Sequence, residues 1–288
     1  MIAIQSKAFD MLDEQGREEV HQFLVSQQNP DGGFQDRGGR SDLYYSLFGG
    51  LILMACESEE KRKGKGKRKI ETTLPELVEG AILKLKQFIV GQSNSEVPGF
   101  IEKCCLVLLQ KELKTGRTSR IKVFFSLGKS FWKERHSINL SYRSFVLFLT
   151  LDAVLPFSQF LKTGAKDLLK RTNVDEQSPC SEVAAKVFLQ KMTNQCGSRE
   201  QDLLKSFVCK TGGFKAFAHL KSADMLSTAV ALFALNYAGC DLRLLKPAGL
   251  DFIQSNFSDG AFLSGDGDLT ADVEYTFYGL LALGVLAD

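Results

Sequence analysis

Gly32-Gly33-Phe34-Gln35-Asp36-Arg37-Gly38-Gly39-Arg40-Ser41-Asp42-Leu43-Tyr44-Tyr45-Ser46 is the stretch of this 288-residue chain whose reading decides the fold. A Gly-Gly-Phe turn leads, about ten residues later, to an Asp that opens an apolar, aromatic-rich helix. The phrase returns twice. Gly212-Gly213-Phe214 leads to Asp224-Met225-Leu226-Ser227-Thr228, and Gly260-Ala261-Phe262 leads to Asp272-Val273-Glu274-Tyr275-Thr276. Such recurrence marks an architecture assembled from repeated units.

Outward from these phrases, apolar residues recur at helical spacing almost throughout. Helices apolar on most faces are predicted over Asp42–Cys56, Glu102–Leu113, Ser141–Val154, Ser181–Met192, Asp224–Ala238 and Asp272–Leu286. More amphipathic helices are predicted over Gly16–Gln28, Pro75–Gly91, Ser119–Phe131, Pro156–Lys170, Arg199–Val208 and Leu244–Asn256. Together they make six pairs. The interval between successive apolar helices is about 40–45 residues, one helix pair, except for the first. That longer interval holds Glu57–Thr73, which includes the run Lys61-Arg62-Lys63-Gly64-Lys65-Gly66-Lys67-Arg68-Lys69. Like charges interspersed with Gly neither pack nor favour a helix, so this insertion reads as a disordered, solvated loop. An open stack of repeats needs polar end units. Here the last helix is apolar on nearly every face and must be buried on all sides. Closure of the last pair onto the first is the simpler expectation, giving one domain over residues 1–288.

Composition excludes several classes of function. The net charge of +2 gives no reason to expect nucleic acid or an anionic membrane as the principal partner, and nothing aromatic is interleaved with the basic run. Seven cysteines, none in a Cys-x-x-Cys pair, read as reduced thiols filling core in a cytoplasmic protein. Acidic residues arrive early, where a signal peptide would be apolar, and no apolar run reaches membrane-spanning length. With 22 Phe against one Trp, the chain has aromatic rings enough for both a helical core and the wall of an apolar cavity.

These residues resemble the α/α-toroid superfamily of prenyltransferase β subunits and squalene–hopene-type cyclases. Gln28, Gly32 and Phe34 follow the cyclases' Q-x-x-x-G-x-W repeat with Phe in place of Trp. The passage from Gly32-Gly33-Phe34 to Asp42-Leu43-Tyr44-Tyr45-Ser46 is similar to the β subunits' link between a Gly-Gly-Phe turn and an Asp-x-x-Tyr/His-Ser/Thr phrase. The resemblance covers residues 20–55 and 205–286; between them it rests on period. It implies an all-α toroid of six hairpins, an α6/α6 barrel, around an aromatic-lined cavity for an isoprenoid. Tyr44, Tyr45, Phe48, Phe277 and Tyr278 are the candidate wall, and Arg37 and Arg40 are candidates to meet a diphosphate. The β subunits work with a helical α subunit, so the resemblance also implies a helical partner.

The chemistry implied divides three ways. Protein prenyltransferases hold zinc with Asp and Cys of an Asp-x-Cys-Tyr phrase and a later His. Asp272-Val273-Glu274-Tyr275 has Glu274 at the Cys position, and His21, His136 and His219 fall outside these phrases, leaving Asp272 and Glu274 as two candidate zinc ligands without a third. With Tyr275 they form the candidate catalytic group. Cyclases protonate an alkene with the middle carboxylic acid of Asp-x-Asp-Asp-Thr, and Glu274 occupies that position too. The third reading is a non-catalytic toroid serving as scaffold or lipid holder. Beside all three stands a structural alternative, in which each repeated Asp is a helix N-cap.

Overall fold

The computed structural model describes residues 1–63, 74–92, 99–116, 120–133, 140–154, 159–195 and 197–287. These residues are mostly helical. In chain order come α1 (Ile2–Met11), α2 (Glu14–Ser26), α3 (Leu43–Lys63), α4 (Leu74–Gln92), α5 (Phe100–Glu112), α6 (Arg120–Lys133) and α7 (Leu140–Val154). They are followed by α8 (Gln159–Arg171), α9 (Cys180–Met192), α10 (Ser198–Lys205), α11 (Met225–Ala238), α12 (Lys246–Ser255) and α13 (Val273–Leu286). Among the described residues strands are confined to two two-residue pairs inside the repeated turns, β1 (Phe34–Gln35) with β2 (Ser41–Asp42) and β3 (Phe257–Ser258) with β4 (Ala261–Phe262).

The apolar helices contact one another in sequence: α3 with α5, α5 with α7, α7 with α9, α9 with α11, and α11 with α13. α13 then packs against α3. The amphipathic helices fill the angles between them. α4 touches α3 and α5, α6 touches α5 and α7, α8 touches α7 and α9, and α10 touches α9 and α11. α13 is apolar all round because it is enclosed by α1, α3, α11, α12 and β4, and every residue from Thr276 to Leu286 is buried.

The repeated phrase builds the same joint three times. Phe34, Phe214 and Phe262 are fully buried, and each donates its backbone N–H to the hydroxyl of the Ser or Thr four residues past the phrase's Asp. Phe34 N meets Ser46 Oγ at 2.9 Å, Phe214 N meets Thr228 Oγ1 at 2.8 Å, and Phe262 N meets Thr276 Oγ1 at 3.3 Å. The hydroxyl thereby satisfies a buried amide. The Phe34 and Phe262 rings lie on Gly49 and Gly279, seven residues past their Asp, where a Cβ would collide with them.

The first glycine of each turn has φ between 78° and 95°, a left-handed conformation costly for other residues. It also presses against the backbone of another helix. A Cβ at Gly32 would lie 2.2 Å from the Lys84 carbonyl oxygen of α4, one at Gly212 1.8 Å from that of Ala248 in α12, and one at Gly260 2.1 Å from that of Glu19 in α2. Each turn thus seats on the amphipathic helix of the following pair, and the last turn seats on that of the first. Gln28 adds a tie of the same kind, donating to the carbonyls of Gly32 and Ala81.

Two expectations need correction. Glu57 to Lys63 is not loop: α3 continues through it. Glu57 pairs with Lys61 one helical turn on, Arg62 reaches Asp10 of α1, and Glu59 is buried, so this charged segment is supported on both faces. The remainder of the insertion, residues 64–73, lies outside the described residues. α1 is the second correction, a helix with no counterpart among the six predicted pairs. It packs between α13 and α3, with Ala8 and Phe9 fully buried and Gln5 donating to the Phe277 carbonyl.

Candidate functional site

The starts of α3, α11 and α13 are set by the repeated Asp, and all three carboxylates serve as caps. Asp42 Oδ1 accepts from the N–H groups of Tyr44 and Tyr45, Asp224 Oδ1 from Ser227, and Asp272 Oδ1 from Tyr275. The structural reading of these residues therefore holds in every copy.

The third copy carries further polar contacts, and they run to the first. Arg37, in the β1–β2 hairpin, donates Nε to Asp272 Oδ2 at 2.9 Å and a second N–H to Asp268 Oδ2 at 2.9 Å. Its guanidinium carbon lies 5.5 Å from the Tyr275 ring centre. The Tyr44 hydroxyl donates to Glu274 Oε1 at 2.7 Å. Arg37, Tyr44, Asp272, Glu274 and Tyr275 thus form one cluster where α13 meets α3. Burial raises the Glu274 carboxyl above its ordinary value; Tyr44 and Arg37 oppose the rise and Asp272 adds to it. Burial, with Glu274 beside it, pushes the Tyr275 hydroxyl up to about 12. Tyr45 is raised by burial and then by Glu274 and Asp272. Asp224 stands apart: burial raises its carboxyl too, and its Oδ2 is buried without a hydrogen-bond partner among the described residues.

Arg40 is not brought to this cluster; its side chain is largely exposed and pairs with Asp36. The two candidate zinc ligands are otherwise engaged here. Asp272 commits one oxygen to its cap and the other to Arg37, and Glu274 accepts from Tyr44. Among the described residues no group of three His, Cys, Asp or Glu is placed to hold a metal ion.

Next to the cluster lies a cavity of about 330 Å³, within the range of about 300–1,000 Å³ usual for small-molecule sites. Its lining comes from all six apolar helices, for example Phe48 of α3, Cys105 of α5, Val146 of α7, Phe188 of α9, Phe233 of α11 and Tyr278 of α13. Of the five predicted wall residues, Tyr44, Phe48, Phe277 and Tyr278 line it. Their rings form one packed group, with Phe48 4.6 Å from Tyr44 and 4.8 Å from Phe277. Tyr45 does not line the cavity; it turns toward Tyr44 and the charged cluster.

No family model, curated protein or solved structure matches this chain. The site therefore rests on its own geometry. Sequence reasoning missed Phe188 and Phe233, and for Phe233 a signal existed. Counted from the phrase's Asp, the lining positions include +2, +6 and +9: Tyr44, Phe48 and Leu51 in α3, then Leu226, Val230 and Phe233 in α11. In α13, Tyr278 and Leu281 take +6 and +9, while +2 is Glu274, whose carboxylate engages Tyr44. Phe188 has no such marker, because α9 carries no copy of the phrase.

Proposed function

We propose that this chain is an α/α toroid that holds an isoprenoid or a similar apolar chain in its central cavity. The observation carrying the reading is the cavity itself, apolar, aromatic on two sides and lined by all six of the apolar helices. The return of α13 to α3 and the seating of Gly260 on α2 support the toroid. Each methylene moved from water into such a site contributes about 0.8 kcal/mol. A diphosphate head is less well served: Arg37 is already neutralised by two carboxylates and Arg40 lies elsewhere. Holding the apolar chain is the reading these contacts favour.

One observation favours a catalytic second reading. Glu274, whose carboxyl is raised by burial and accepts from the hydroxyl of cavity-lining Tyr44, would serve as the proton donor in that reading. Turnover of an isoprenoid substrate that is lost in Glu274→Gln supports it, and equal product from the variant removes it.

The test of the main reading is titration with farnesol, followed by native mass spectrometry. The expected result is a one-to-one complex that is lost in Ala184→Phe, which fills the cavity from α9, while the circular dichroism stays helical. Binding that survives the substitution places the ligand elsewhere and overturns the proposal; so does the absence of any complex with the unsubstituted chain.

A further inference from the structure

The outward face of α6 sets large exposed aromatic rings beside basic residues. Its sequence, Arg120-Ile121-Lys122-Val123-Phe124-Phe125-Ser126-Leu127-Gly128-Lys129-Ser130-Phe131-Trp132-Lys133, holds four basic residues and no acidic one. Val123, Leu127 and Ser130 are buried where the helix meets its neighbours, Phe131 packs on Phe100 of α5 at 5.5 Å, and Lys103 of α5 donates to Ser130. Those contacts account for one side of the helix. On the other, Phe125 is 69% exposed and Trp132 67% exposed, with Lys129 between them at helical spacing. Lys122 and Lys133 are exposed along the same side. α4 also exposes apolar residues, Leu83 and Val90, but it carries the exposed acids Glu76 and Glu79, which an anionic surface repels.

We propose that this face of α6 docks on an anionic lipid surface, with the Phe125 and Trp132 rings in the headgroup region and Lys122, Lys129 and Lys133 against the lipid charges. The inference stands independently of the cavity's ligand. A helix with large aromatic groups on one side and only positive charge beside them matches an interfacial helix in both its parts. Trp is the side chain best suited to that depth, having an apolar body and one N–H donor. The charge complementarity is specific to anionic lipid, and each lysine near such a surface strengthens binding about fivefold.

Trp132 is the single tryptophan of the chain, so its fluorescence reports this face directly. The full-length protein is titrated with phosphatidylcholine vesicles with and without phosphatidylserine. The expected result is a blue shift of emission, with co-sedimentation, only when phosphatidylserine is present, weakening as salt is added. Phe125→Ser is expected to reduce co-sedimentation at unchanged helicity, and Lys129→Gln to weaken it about fivefold. Three outcomes overturn the proposal: no shift with phosphatidylserine vesicles; co-sedimentation unaffected by Phe125→Ser; or a dimer of the chain in solution that Phe125→Ser dissociates and that vesicles do not compete with.

Discussion

Asp224 and Asp272 occupy equivalent places in two copies of one phrase, yet their second oxygens meet opposite fates. Asp272 Oδ2 receives Arg37, and its side chain is only 5% exposed. Asp224 Oδ2 receives nothing among the described residues, and burial lifts its carboxyl above the ordinary value. The folded state then holds its proton to higher pH than the unfolded chain, whose carboxyl titrates near 3.8. Over that interval the native state binds more protons, so this residue's contribution to stability falls as pH rises. Asp224→Asn keeps a side-chain oxygen for the Ser227 N–H and removes the titration. Its stability relative to the unsubstituted chain is expected to improve as pH is raised from about 4 to neutrality. Urea denaturation of both proteins across that range measures the difference; a gap that is constant, or that moves the other way, refutes the assignment.

At the scale of elements, the turn and the helix behind it act as one joint. Gly212 shows what the joint demands, since its positive φ and the Ala248 carbonyl both exclude a Cβ. Gly212→Ala is expected to cost about 2 kcal/mol or more, against less than 1 kcal/mol where Ala is merely conformationally unfavourable. The midpoint of chemical denaturation reads this directly. The twelve predicted helices all exist with ends displaced by a few residues, because apolar spacing is a local property of the chain. α1 was not legible: it is short, has no side-chain cap, and owes its helix to burial against α13 and α3. Residues 57–63 misled for the converse reason. Their charges look solvated in isolation, whereas Glu57 pairs with Lys61 on the same turn and Arg62 with Asp10 of α1. The two-residue strands were invisible because no alternation can be read from two residues. In the site, Tyr44 and Phe48 could be placed by their distance from Asp42, whereas the partners of Arg37 belong to a segment more than 200 residues away.

For the whole molecule, the residues that looked most like chemistry hold α13 to the β1–β2 hairpin and α3. Arg37 joins Asp272 across 235 positions of sequence, and Tyr44 joins Glu274 across 230. Arg37→Gln leaves the enclosed Asp272 carboxylate short of its cation. Because the guanidinium is itself 42% exposed, the expected loss is about 1–2 kcal/mol, between that of a surface pair and that of a buried one. Hydrogen exchange is expected to quicken at the β1–β2 hairpin and the first turn of α13 while α9 and α11 stay protected. A uniform change across the chain, or none, is incompatible with a seam at this position.

The seating of Gly260 on α2 also bears on the order in which the chain is made. Gly32 and Gly212 meet helices synthesised shortly after them, so those joints form as the polypeptide lengthens. Gly260 meets a helix completed more than 230 residues earlier. During synthesis α2 therefore waits with one side uncovered until the final turn emerges. That interval leaves the uncovered side of α2 open to association with neighbouring chains.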